Sequence, residues 1–414
     1  MLAMLAFLFL MAWAAALIAA GSTMIADTYE TFRAKDLPGS DFRVFYAAAG
    51  LILSEERAQL YDGDTVPREV LAGGNSDRGA MDDESSAWFI YYNPPVFAVL
   101  MAPLTLLDIH AAYLASIAVN LVALAGLGFA LGTILRWRQP ALAFMGVALL
   151  GFLPTYSAIF HAQPTILIAV LLCAAFLAAD KDRYLLSAVL LACTGLKPQW
   201  IGLPGLALAK QAPRVLPVLA LVAGVLVFAP FAVLGTGAIL DYINLLTGRG
   251  TVDAGNAEFG SELINWWGFF GALAGSPQPA AAMLASVLTI GVLVSVIARG
   301  DRCLAWSAAI FSTLIVLPHT HGQEWVMAIP AAALLLRRPM TPLLTRVSVG
   351  LLVVAFVAMA VQPLAQGAAR DGERAVYLIV PAALLLTSWC AIVPMLERRS
   401  TQSQLAGVVA AFTG

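Results

Sequence analysis

Asp41 stands in the stretch GSDFRVFYAAAG, Lys197 in TGLKPQ, His319 and His321 in LPHTHGQEW, and His161 with Gln163 in FHAQPT. A carboxylate in a partly desolvated pocket has its pKa raised toward the working range, which suits Asp41 to take a proton from an acceptor hydroxyl. The plainer role is a first-turn acid that complements a helix dipole. Lys197 ends an apolar helix that Pro198 stops, and an ammonium so close to hydrocarbon is costly unless it is paired. A phosphate on a lipid-linked substrate is a fitting partner, and snorkelling to the interface is the alternative. The two histidines after Pro318 have no adjacent Cys or Asp, which makes them a weak zinc signal. Phosphate contact or proton transfer suits one of them better, and a hydrogen bond to a loop carbonyl suits either. His161 and Gln163 sit at a polar break between two apolar runs, where they either cap helix ends or meet a ligand. Tyr91, Tyr92 and Asn93 join the candidates, together with Gln199, Arg249, Asp253, Asn256 and the pair Trp266 and Trp267. Aromatic rings pack on the apolar faces of sugars, and they equally anchor a protein at headgroup level.

The elements that position these groups must be membrane helices. Hydrophobic residues make up 61% of the 414 residues and charged ones 12%, more apolar surface than a soluble domain can cover. We read an all-α polytopic membrane protein. Its net charge of -2 says little about partners, but a nucleic-acid binder would show a basic surface, and this chain shows none. Cys173, Cys193, Cys303 and Cys390 lie singly in apolar runs and read as small core residues.

Residues 2–21 are apolar and lack the basic start of a secretory signal, so they are expected to be a retained first helix. Residues 22–108 read as an external loop that holds roughly half of the chain's 25 acidic residues. Within it Phe42, Phe45, Tyr46, Ala49, Ile52 and Leu53 recur at helical spacing, an apolar face suited to the membrane interface. Ser40 is a good N-cap for that helix. The apolar stretch up to Leu107 is short and interrupted by Pro94, Pro95 and Pro103, so it predicts an interfacial or re-entrant helix with Trp88, Tyr91 and Tyr92 at headgroup level.

Eleven further apolar runs follow between 109 and 395. With the first helix they predict about 12 crossings, since one crossing takes about 20 residues. Residues 109–396 form the rest of the bundle and 397–414 a tail, all in one domain. Six basic linkers, around Arg136, Lys181, Lys210, Arg299, Arg337 and Arg398, fall at alternate ends of these runs. The positive-inside rule puts them, and both termini, in the cytoplasm. Asp41, Tyr91 to Asn93, His161, Gln163, Lys197, Gln199, the loop 235–267 and the set His319, His321, Gln323 and Glu324 then share the outer face, as an external active site would require. The runs 184–197, 199–210 and 325–336 are short and abut these polar groups, as helices that line a cavity do. The chain has no Walker loop, dinucleotide fingerprint or serine-hydrolase elbow.

Taken in order, SDFRVFYAAAGLIL, QLYD, YYNPPVFAVLMAPLTLL, HAQPTILIAVLL, GLKPQ and PHTHGQEW resemble the successive signatures of glycosyltransferase family 87, over residues 39 to 336. The resemblance implies a GT-C fold with the catalytic aspartate in an external first loop, and a sugar donor carried on a polyprenyl phosphate. Mannose is the family's best-known sugar, and a lipid or glycan is the acceptor. Asp41 matches the first-loop aspartate, Lys197 and Gln199 match the KPQ signature, and His321 is the best match to a late histidine, with His319 next to it. Where members often read Tyr-Pro-Pro-Pro, this chain has Tyr92, Asn93, Pro94 and Pro95. No cofactor is expected, and a divalent metal is left open. The location implied is a bacterial inner membrane with the site facing outward. The rival readings are a secondary transporter or lipid flippase, which would show inverted repeats and mid-membrane polar groups, and a non-catalytic scaffold.

Overall fold

A computed structural model describes residues 40–61, 91–137, 149, 152–246, 263–368 and 379–397. The expected first helix at 2–21, most of the acidic loop, Trp88, Arg249, Asp253, Asn256 and the tail after 397 fall outside what is described, and Ser40, expected as an N-cap, is the first residue of its helix. Among the described residues all regular structure is helical. In chain order the helices are α1 (Ser40–Ile52), α2 (Pro95–Met101), α3 (Ile109–Ile134), α4 (Leu153–Phe160), α5 (Thr165–Asp180), α6 (Tyr184–Ala192), α7 (Gln199–Gln211) and α8 (Leu216–Phe228). They continue with α9 (Phe231–Leu234), α10 (Gly237–Leu246), α11 (Trp266–Ala274), α12 (Pro279–Arg299), α13 (Arg302–Val316), α14 (Ala328–Arg337), α15 (Pro342–Ala368) and α16 (Ile379–Glu397).

Four segments, Ile109–Ile134, Pro213–Leu234, Pro279–Arg299 and Ile379–Glu397, are long and apolar enough to cross a membrane, and the bent pair α4 and α5 makes a fifth if counted as one span. Their outward faces are apolar: Val122 and Phe129 on α3, and Met283, Leu284, Val287 and Leu288 on α12, are all more than half exposed. On helices of spanning length, a surface of that kind suits lipid. Inside, helices approach through small residues such as Ala169, Ala175 and Ala179 on α5 and Ala331, Ala332 and Ala333 on α14, all fully buried. Small side chains let membrane helices pack closely where no hydrophobic driving force acts between them.

The α1 face is turned differently from its sequence expectation. Phe42 and Phe45 are buried against Tyr113 and Phe97, with ring centroids 5.0 and 4.8 Å apart. The stripe packs on α2 and α3 instead of facing lipid, and Leu53 alone of the six is mostly exposed. The short helix expected before Leu107 is present as α2 and a 3-10 turn over Ala102–Leu106.

Five of the six basic linkers converge at one end of the bundle. Arg302 reaches Asp182 at 3.1 Å, Arg337 reaches Asp180 at 2.5 Å, and Arg338 bonds Asp301 and, at 2.6 Å, Glu397. Lys210 donates to the Gly300 carbonyl at 2.8 Å. This knot joins the ends of α5, α7, α12, α13, α14 and α16. His161, Gln163, Lys197 and Glu324 lie at the opposite ends of the same helices or in the segments that join those ends, and Asp41 on α1 reaches this end through Gln163. Helices α6 and α7 are short, and 13 residues rise only about 20 Å against a hydrocarbon layer of about 30 Å. Neither helix alone is long enough to span that layer.

Candidate active site

The axes of α4 and α5 meet at a bend of 118° across a short break. Pro164 cannot donate to the helix ladder, and Ala162 takes a left-handed conformation (φ 52°) that costs a residue with a Cβ about 1–2 kcal/mol. The break is closed by its own backbone: His161 N–H donates to Ser157 O and Gln163 N–H to Ala158 O, both at 2.9 Å. The two side chains are thereby left for other work. Gln163 Nε2 donates to Asp41 Oδ2 at 2.6 Å, and His161 Nδ1 lies 3.7 Å from the same oxygen. Asp41 is in the first turn of α1 and about one-third exposed. Its helix start is tied to the break because Phe42 packs on Tyr113, whose hydroxyl donates to Phe160 O at 3.0 Å. The base candidate is thus partly open to water and clamped from a distant segment.

Lys197 sits where a helix stops and another starts. A 3-10 turn over Cys193–Leu196 ends α6, Lys197 is extended, and α7 begins after Pro198. The lysine is buried, and its ammonium bonds Glu324 Oε1. The other oxygen, Oε2, accepts the His321 backbone N–H at 2.9 Å, and Glu324 N–H returns a bond to His321 O at 3.1 Å. Burial pushes the Glu324 carboxyl up, but the Lys197 ammonium and the His321 contacts outweigh it and hold the group below the usual carboxylate range. One carboxylate therefore joins the Lys197 break to the histidine loop.

That loop is held from behind. Ile264 N–H donates to Thr320 O at 2.8 Å, and the Asn265 amide donates to the carbonyls of Leu317 and Pro318 at 2.8 and 3.1 Å. Asn265 also caps α11 by accepting from Gly268 N at 2.9 Å. A Cβ at position 268 would lie 1.9 Å from Leu263 O, so only glycine fits. Gly268→Ala should lower stability by about 1–3 kcal/mol through overpacking and loosen the loop, read as a lower melting temperature in detergent.

Both α4 and α5 pack against the 3-10 turn Gly322–Met327 that carries Glu324. The Asp41 clamp and the Lys197 pair consequently flank one helix break. The other candidates divide. Tyr92 and His319 face each other with ring centroids 5.6 Å apart, close to this loop, and His319 is exposed. Gln199 is half-buried as the first residue of α7. Asn93 contributes its carbonyl to the Tyr61 hydroxyl at 2.9 Å. Tyr91 is buried inside the protein, with its hydroxyl on Pro94 O at 2.9 Å. Trp266 is buried too, its Nε1 donating to Thr289 at 3.0 Å, so it is a packing group. Trp267 is half-buried. Among the described residues no three His, Cys, Asp or Glu side chains gather as metal ligands would.

The model of glycosyltransferase family 87 matches residues 89–320, more than half of the chain. The chain belongs to glycosyltransferase family 87. It is an integral membrane glycosyltransferase, and it therefore uses a sugar donor and an acceptor. The match takes in His161, Gln163, Lys197, Gln199 and His319; it is narrower than the resemblance over 39–336 and leaves Asp41, His321 and Glu324 beyond its bounds. No curated protein and no solved structure matches this family 87 chain.

Two residues that hold the candidate site of this family 87 member together were not singled out by sequence reasoning. Glu324 stood only among the outer polar residues, and Asn265 did not stand out at all. The signal for Glu324 was available: a buried cation needs an anion, and Glu324 follows His321 by three residues, the spacing of a reciprocal turn. Sequence reasoning leaves helix capping and ligand contact open for Gln163; in the structure its Nε2 donates to Asp41. A hydrogen bond to a charged group contributes about 1.5–3 kcal/mol. Gln163→Ala should accordingly lower kcat by about tenfold or more and leave KM nearly unchanged, with partial recovery in Gln163→Glu excluded by charge repulsion. A rise in KM alone would make Gln163 a substrate contact.

Proposed function

We propose that the chain transfers a sugar, with mannose the foremost candidate, from a polyprenyl phosphate to a lipid or glycan acceptor on the extracytoplasmic face, with inversion at the anomeric carbon. The observation that carries the reading is the placement of the Gln163-clamped Asp41 and the buried Lys197 pair on two sides of one helix break. Asp41 takes the proton of the acceptor hydroxyl as that oxygen attacks the anomeric carbon. The bond from carbon to the phosphate oxygen breaks on the opposite side, and its electron pair leaves with the polyprenyl phosphate. Lys197 and the His319 and His321 pair offset the charge gathering there, which a low-dielectric site makes effective. His161, Tyr92, Asn93 and Gln199 border the sugar or acceptor, and the reading needs no metal or other cofactor.

The same reading carries a GT-C arrangement of about 12 crossings, each taking about 20 residues, in a bacterial inner membrane. Gathering of the basic linkers at one end supports a cytoplasmic knot and an outward site. The test is to supply membranes containing the protein with labelled polyprenyl-phosphate sugars and identify glycosylated products by mass spectrometry. Labelled product that needs the lipid-phosphate donor is expected. Transfer from a nucleotide sugar in the absence of lipid donor would overturn the donor assignment.

A further inference from the structure

The Lys197 ammonium that the proposed function assigns to the donor phosphate is already occupied. Its partner Glu324 is buried with it, and the two side chains are 8% and 3% exposed. A buried ion pair is weak evidence for stability, because desolvation of both charges offsets their attraction. Replacing it with apolar groups would hold two helix breaks together as well or better. The carboxylate also has a second bond, from Oε2 to the His321 N–H, so it holds the lysine and the histidine loop in one register. An anion that approaches Lys197 meets Glu324 in the same place, and the two must share or exchange the ammonium.

We propose that Glu324 is a positioning residue that sets the affinity of the phosphate site by competing with the donor phosphate for Lys197. The inference rests on the reading of Lys197 as the phosphate contact and adds to it the group that limits how tightly that contact closes. In the empty site the carboxylate neutralises the lysine and keeps it aimed. When the phosphate enters, the ammonium is shared, and the carboxylate reclaims it as the lipid phosphate departs. No proton or covalent bond changes hands at Glu324. A lysine with no such rival would hold the leaving phosphate longer, and product release would slow.

Binding of farnesyl phosphate to the full-length protein in detergent, followed by tryptophan fluorescence, tests this without any sugar transfer. Glu324→Gln removes the rival charge and should tighten farnesyl phosphate by about tenfold, the scale of one charge-assisted hydrogen bond. In turnover the same variant should show a lower KM for the lipid donor together with a lower kcat, a split that loss of folding alone does not produce. Glu324→Asp retains the charge but withdraws it by one methylene, and a smaller tightening is expected; it stands in if Glu324→Gln does not fold. Farnesyl phosphate bound no tighter by either variant than by wild type overturns the role of Glu324 while leaving the donor reading intact. Wild-type protein that binds no farnesyl phosphate overturns both.

Discussion

Asp41→Asn should abolish sugar transfer while leaving the protein folded. General-base catalysis contributes about 10²- to 10⁴-fold, and the asparagine cannot take the proton from the acceptor hydroxyl. Its amide oxygen can still accept from Gln163, so the α1 start stays tied to the break. The side chain is one-third exposed, and its loss opens no core. The expected pair of readings is an unchanged melting temperature and elution profile with product formation at background. Ordinary turnover by the Asn variant would strip Asp41 of its role, and the base would have to be sought outside the described residues or at His161, which faces the same oxygen.

Lys197→Ala should be more damaging to the fold than its position near the membrane surface suggests. Removing one partner of a buried ion pair leaves the other charge without compensation and costs about 3–5 kcal/mol. Glu324 would be left in the interior with only the His321 N–H. A sharply lower melting temperature in detergent is therefore expected, along with lost transfer. The double variant Lys197→Met with Glu324→Gln removes both charges and should regain most of the stability without regaining activity. This separates two roles that the single variant confounds. If the double variant transferred sugar at the wild-type rate, the lysine would be a structural group, and the phosphate contact would pass to the histidines.

The local features of the site were legible from residue chemistry. Proline at 198 breaks the helix after Lys197, and proline at 164 sits at the break where His161 and Gln163 interrupt two apolar runs. The alternation of basic linkers also foretold which helix ends meet. What could not be read was who partners whom. Gln163 finds Asp41 across 122 residues and Lys197 finds Glu324 across 127, and such pairings are set by helix packing that leaves no periodic trace. Aromatic residues misled for a related reason. Tyr91 and Trp266 have the amphipathic shape of interfacial anchors, but each finds an internal acceptor, Pro94 O three residues on and Thr289 across a helix pair. With the polar tip satisfied inside, burying the ring becomes the better solution. The α1 stripe behaved likewise, since a helix face that suits lipid suits two neighbouring helices equally.

The knot of arginines and carboxylates at the far end of the bundle has an effect on the catalytic end that distance conceals. Sliding any one of its helices along the axis by a single residue would pull a guanidinium off its carboxylate or the Lys210 ammonium off the Gly300 carbonyl, so the knot fixes the vertical offset of six helices at once. A short helix such as α7, measured from that common datum, ends at a fixed level relative to its neighbours. The level at which Lys197 sits, just before α7, is thus gauged from the opposite end of the bundle.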